Sequence, residues 1–201
     1  MSPRPKLKPD ADLVMATVAV IERLGPARLT LADVAKEAGI SPATLVQRFG
    51  SKRGLLLAVA RFGASGVRQD FARIRAQHRS PLRAIEGVVE CMARMARTPE
   101  ALANSLAFLE MDLADPDFHR LALDHARQFR AELRAILDHA MTAGELRRCP
   151  AARLANTLQS LIGGSMLNWA IHREGNAAAF IRADLETLLR PYRATKTRRK
   201  K

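Results

Sequence analysis

Aromatic side chains make up only 4% of the 201 residues, and runs of alternating β-branched residues are missing. With 48% of the chain apolar and Ala and Leu abundant, those two absences point away from sheets and towards an all-α protein with a substantial core. Cys91 and Cys149 are the only cysteines and belong to no ligand-spaced cluster. They read as reduced structural thiols in a cytoplasmic protein. Long apolar runs are lacking too: the longest uncharged stretch, "LANTLQSLIGGSMLNWAI", contains Asn156, Gln159 and Asn168, which a bilayer would penalise, so a buried helix and no membrane partner are expected. The start, "MSPRPKLKPDAD", has no apolar core of a signal peptide.

Catalytic grammar is absent as well. There is no G-x-S-x-G, P-loop, Gly-rich dinucleotide turn or H-E-x-x-H, so no catalytic residue, no cofactor and no enzyme activity are expected. His119 and His125, with Asp115, Asp117 and Asp124 nearby, form the one arrangement that suggests a metal. The two histidines are six apart, which puts them on opposite faces of a helix, and a solvated surface without a metal is the expectation.

Positive charge is plentiful and unevenly placed. Residues 1 to 80 carry 14 Lys and Arg against 6 Asp and Glu, a balance of +8, and residues 81 to 192 carry 13 against 14, a balance of −1. The last nine residues, "RATKTRRKK", add six cations and no acid. Charge confined to one end and a tail suits a polyanion-binding part joined to a neutral one; nucleic acid is the leading partner, and an anionic membrane surface or an acidic partner is the alternative.

Helix signals organise the chain. Residues 1–9 read as a flexible basic arm and 193–201 as a disordered basic tail. A first helix is expected from an Asp10 N-cap to Leu24, with Val14, Val18 and Ile21 on one stripe and Gly25-Pro26 as its stop. Thr30 caps the second, with Asp33 three residues on in a capping-box arrangement, and Gly39 ends it. Ser41 caps the third, Pro42 takes its first position, and Gly50-Ser51 stops it. Two short helices joined by a tight Gly-containing turn make a helix-turn-helix layout. A fourth helix is expected to about His78, and five more over Pro81–Arg97, Pro99–Leu113, Pro116–Thr142, Pro150–Arg173 and Asn176–Leu189, about nine in all.

On a helical wheel with Leu45 and Phe49 inward, Ala43 and Gln47 point away from the core, flanked by Thr44 and Val46. A small, polar, uncharged outer face suits the major groove, where Gln pairs with adenine and an Ala methyl touches thymine. Arg48 lies nearer the core side, within reach of a phosphate, and Lys52 sits at a helix start that favours one.

The segment "LTLADVAKEAGISPATLVQRFGSKRGLL", Leu29 to Leu56, resembles the DNA-binding segment of TetR-type transcriptional regulators in spacing, caps and core positions together. The resemblance implies a three-helix helix-turn-helix DNA-binding domain over residues 10–55 and a larger helical effector-binding and dimerisation domain over 56–192. It also implies phosphate contacts from Thr30, Thr44 and Lys52 and base readout around Ala43 and Gln47. The candidate DNA-binding set is Thr30, Ser41, Ala43, Thr44, Val46, Gln47, Arg48 and Lys52. Val46 stands where the family usually has a phosphate-contacting Tyr, and Arg48 where it usually has His or Tyr. Either Arg48 supplies a replacement phosphate clamp, which is the expected arrangement, or Val46 packs on a thymine methyl.

In the second domain Leu154, Leu158, Leu161 and Ser165 form one stripe, and Ile181, Leu185, Leu188 and Leu189 another. A two-fold interface between homodimer subunits is expected through Leu158, Leu161, Ser165, Ile181, Leu185 and Leu188. The family also implies a small-molecule effector pocket, for which Met92, Met95, Phe108, Met111, Phe118, Phe129 and Trp169 are candidate walls. The function that follows is a dimeric repressor on a palindromic double-stranded DNA operator, released by an unknown small molecule. A basic helical module for membranes or acidic partners and a small helical enzyme are the alternatives.

Overall fold

The computed structural model describes residues 8–194, and among them it is all helical. Ten α-helices follow in order: α1 Asp10–Arg28, α2 Leu31–Ala38, α3 Pro42–Phe49, α4 Lys52–Gln77, α5 Pro81–Ala93, α6 Pro99–Leu106, α7 Phe108–Ala114, α8 Pro116–Thr142, α9 Ala151–His172 and α10 Ala177–Leu189. A single 3-10 turn, Arg190–Tyr192, closes the described chain. The expected arm and tail, residues 1–9 and 193–201, lie almost wholly outside the described residues.

The local signals around α2 and α3 act as their chemistry requires. Thr30 accepts from the Asp33 backbone N–H at 3.2 Å while the Asp33 carboxylate accepts from the Thr30 N–H at 2.9 Å, so both halves of the capping box form. Gly39 takes the left-handed conformation, φ 63° and ψ 41°, that lets the chain reverse within a residue or two. Ser41 then caps α3 by accepting from Thr44 N at 3.2 Å, with Pro42 in the first turn where its missing N–H costs nothing.

Four helix boundaries differ clearly from those expected of the sequence. Pro9, not Asp10, occupies the N-cap position of α1 and makes no side-chain cap; Asp10 and Asp12 instead lie in the first turn, where the helix dipole favours acids. The backbone does leave helical geometry at Gly25, φ 74° and ψ 160°, yet helical turns resume through Pro26 to Arg28. The helix expected over Pro99–Leu113 is two, α6 and α7, parted at Ala107 with no glycine or proline to announce the break. Helix α5 ends at Ala93 because the chain tightens into i→i−3 bonds, Arg94 to Cys91 and Met95 to Met92, before Thr98 caps α6.

Packing divides the chain into two compact units. The first holds the described residues up to Ser65 together with Ala103–His125, and the second holds Gly66–Leu102 with the described residues from Ala126 on. In the first, α2 packs on both α1 and α3 around Leu13, Val20, Val34, Leu45 and Leu55, and Phe118 of α8 joins the same cluster. Asn104 enters this unit by donating to the Glu22 carbonyl at 3.0 Å, beside Gly25. In the second, α10 packs on α9 and α5, burying Ile181, Leu185 and Leu189 with Ile85, Val88 and Leu158. Phe71 and Phe129 meet edge to face there at 5.1 Å. Beyond α10 the chain returns to the loop after α8: Leu146 and Arg193 form an antiparallel bridge, with Arg147 N donating to the Tyr192 carbonyl at 2.7 Å.

Candidate nucleic-acid interface

Helix α3 turns Leu45 fully into the core of the first unit and leaves Pro42, Ala43, Val46 and Gln47 exposed. Ala43, Val46 and Gln47 fall within one helical turn of each other and make a single patch. Val46, 47% exposed, is its only branched apolar side chain. Ser41 and Thr44 border the patch, their hydroxyls sharing a hydrogen bond at 2.9 Å. Thr30 is exposed at the start of α2, where its hydroxyl donates to the Asp33 carboxylate at 2.6 Å. That bond, with the Thr30 backbone N–H, holds the Asp33 carboxyl below its ordinary pKa.

The two cations of the candidate set are engaged within the unit. Arg48 ion-pairs with Asp10 at 3.1 Å and also donates to the Lys8 carbonyl, so its guanidinium lies against the start of α1. Its side chain is only 21% exposed and lines a cleft of about 550 Å³ with Asp10, Val14, Phe49 and Phe62. Lys52 donates to the Ala27 carbonyl at 2.7 Å, tying the first turn of α4 to the end of α1. Lys8 itself donates to the Ala38 carbonyl at the end of α2.

The neighbouring Arg53 was not legible as a functional or structural residue from the sequence. It ion-pairs with Asp115 at 2.7 Å and Asp117 at 2.9 Å, and its guanidinium lies 5.8 Å from the centre of the Phe118 ring. The Arg53 hydrogen bonds hold the Asp115 carboxyl below its ordinary pKa. Two acids flanking Pro116 at a helix start were the available signal, but nothing local names their partner.

The expected pocket walls are distributed over two cores. Phe108, Met111 and Phe118 pack in the first unit, with the Phe108 and Phe118 rings 6.3 Å apart. Met92 and Phe129 pack in the second, Trp169 is buried and donates to the Gly175 carbonyl at 3.3 Å, and Met95 is 44% exposed. Of the expected dimer residues, Leu158, Ser165, Ile181 and Leu185 are already buried within the single chain, with Ser165 donating to Asp184 at 2.6 Å. Leu161 and Leu188 are half-buried and line an open groove of about 430 Å³ together with Gly164, Asn168, Asp184 and Thr187. Among the described residues no helix is long and apolar enough to cross a membrane, and no group of three or more His, Cys, Asp and Glu is placed to hold a metal.

Comparison with known proteins covers both parts of the chain. The profile described as "Bacterial regulatory proteins, tetR family" matches residues 13–59, and "BetI-type transcriptional repressor, C-terminal" matches residues 78–191. The HTH-type transcriptional regulator BetI of Agrobacterium fabrum is 31% identical over 156 residues, covering 76% of this chain and 72% of that protein. The protein of the same description from Paraburkholderia phytofirmans is 33% identical over 168 residues, covering 82% and 83%. Among solved structures, a TetR-family transcriptional regulator from Cytophaga hutchinsonii superposes with a TM-score of 0.73 at 16% identity, over 93% of this chain and 96% of that one.

Proposed function

The chain belongs to the TetR family of bacterial transcriptional regulators, with a BetI-type C-terminal part, and on that premise we propose that it acts as a homodimeric repressor on a palindromic operator, released by a small-molecule effector. The observation that carries the DNA-binding half is the outer face of α3. Ala43, Val46 and Gln47 stand clear of the core on a helix with no acidic residue, in the part of the chain with a charge balance of +8. Ser41 and Thr44 border that face. Thr44, with Thr30 at the start of α2 and Lys52 at the start of α4, is assigned to the phosphates by the family resemblance, Lys52 by exchanging its bond to the Ala27 carbonyl for a phosphate, while Ala43 and Gln47 read base edges.

Pairing of half-sites requires a dimer whose two α3 helices are spaced by about one helical turn of DNA. We place its surface at the groove containing Leu161, Gly164 and Leu188, because Leu161 and Leu188 are the expected interface residues that remain half-buried in the single chain. The buried members of the expected interface hold α9 and α10 together beneath that surface. Selection of duplexes from a randomised pool by the full chain tests the reading: enriched sequences should have two-fold symmetry, and affinity should fall steeply with salt. Enrichment without symmetry would overturn the dimer, and equal binding to all duplexes would overturn the operator.

A further inference from the structure

We propose that Val46 is a base-reading residue, seating its isopropyl group against the 5-methyl of one thymine in each half-site. The inference rests on the operator reading and specifies what one position of α3 recognises. Val46 is an exposed branched apolar side chain, and it shares its patch with Ala43 and Gln47, the residues that the operator reading directs to base edges. The thymine methyl is the one apolar group that the major-groove edges of the bases present, so an isopropyl in that patch has a single complementary target.

The rival account, in which position 46 has lost a phosphate contact that Arg48 restores, needs the Arg48 guanidinium free to reach round from its shoulder of α3 to a phosphate. Arg48 instead points to α1. Its guanidinium is held by the Asp10 carboxylate at 3.1 Å and by the Lys8 carbonyl, within the cleft beside Phe49. Lys52, the other nearby cation, is held on the Ala27 carbonyl at 2.7 Å. Neither Arg48 nor Lys52 is therefore directed at Val46, and what Val46 itself offers in the patch is apolar surface.

Deoxyuridine differs from thymidine only by that methyl group, which makes a direct test. A duplex selected from a randomised pool by the full chain is resynthesised with each thymine in turn replaced by deoxyuridine. The wild-type chain should lose about four-fold in affinity at one thymine per half-site, the worth of one buried methyl-sized group. Val46→Ala, present in both subunits, should lose about sixteen-fold on the thymine duplex, the square of the single-site factor, and show no further loss when either thymine is replaced. Arg48→Ala should leave the deoxyuridine profile as in wild type. Thermal melts of the variants confirm that folding is unchanged, since both substitutions fall outside the fully buried core. A deoxyuridine penalty equal in Val46→Ala and wild type would overturn the inference, as would a profile that changes with Arg48 in place of Val46. If no duplex is enriched at all, the operator reading fails first and this inference fails with it.

Discussion

Substituting Leu158 and Leu188 by arginine separates the core of the second unit from its dimer surface. Leu158 is 0% exposed on α9, in the same cluster as Ile181, Leu185 and Leu189 of α10. Losing a leucine side chain from such a site costs about 2–5 kcal/mol, and an arginine adds the penalty of burying a charge in an apolar cluster. Against a total stability of about 5–15 kcal/mol, Leu158→Arg should unfold the second unit. Leu188 is half-buried at the open groove, where an arginine head can remain in water, so Leu188→Arg should leave the protomer stable to within about 0.5 kcal/mol. In a two-fold interface the substitution is met twice. At about 2 kcal/mol for each copy of a central contact, the pair raises the dimer dissociation constant about a thousandfold. Sedimentation velocity across a concentration series, with circular dichroism melts on the same samples, reads both quantities. A Leu158→Arg protein that melts like wild type but sediments as a monomer would place Leu158 in the interface and refute the division. A Leu188→Arg protein that stays dimeric at every concentration would move the interface to another face.

Thr30→Ala removes the oxygen that accepts from Asp33 N and should cost about 1 kcal/mol of stability in chemical denaturation; an unchanged midpoint would mean that the cap contributes nothing to the folded state. Gly87→Ala would put a Cβ 2.7 Å from His78 Nε2 and 2.9 Å from Ile74 Cγ2; the overpacking of about 1–3 kcal/mol outweighs the gain of about 1 kcal/mol in helix propensity, so the melting temperature should fall, and a rise would show that the His78 ring swings aside freely. Because Arg53 depresses the pKa of Asp115, their interaction stabilises the fold above the carboxylate's unfolded pKa, about 4, and is lost as pH falls through the lower folded value. Arg53→Met should therefore flatten the acid limb of stability against pH, and an acid limb identical to wild type would refute that assignment.

What was legible in the sequence is what is decided within about five residues. Thr30 with Asp33, Gly39, and Ser41 with Pro42 each carry their partner or their backbone requirement close by, so the two helices and their turn follow from the chain directly. The stripes containing Leu158 and Ile181 were legible as apolar, but periodicity does not say whether an apolar face meets its own chain or a second copy. Arg48 with Asp10, Arg53 with Asp115, and Asn104 beside Gly25 are pairs of distant residues whose distances are set by packing, and no spacing rule reaches them. The same limit applies to the pocket walls. Met and Phe at helical spacing announce burial, and only the packed structure sorts Phe118 from Phe129.

The first unit is assembled from two separate stretches of chain, and this has a consequence for its birth on the ribosome. Phe118 belongs to the same apolar cluster as Leu13, Leu45 and Leu55, yet it is made about 50 residues after Ser65. At about 5–20 residues per second, the completed first stretch waits roughly 3–11 seconds for it. During that interval the nascent chain carries an incomplete core at its leading end, an apolar surface of the kind that chaperones hold. A gene fragment ending before residue 103 would make that interval permanent, and its product should bind such a chaperone or aggregate where the full chain does not.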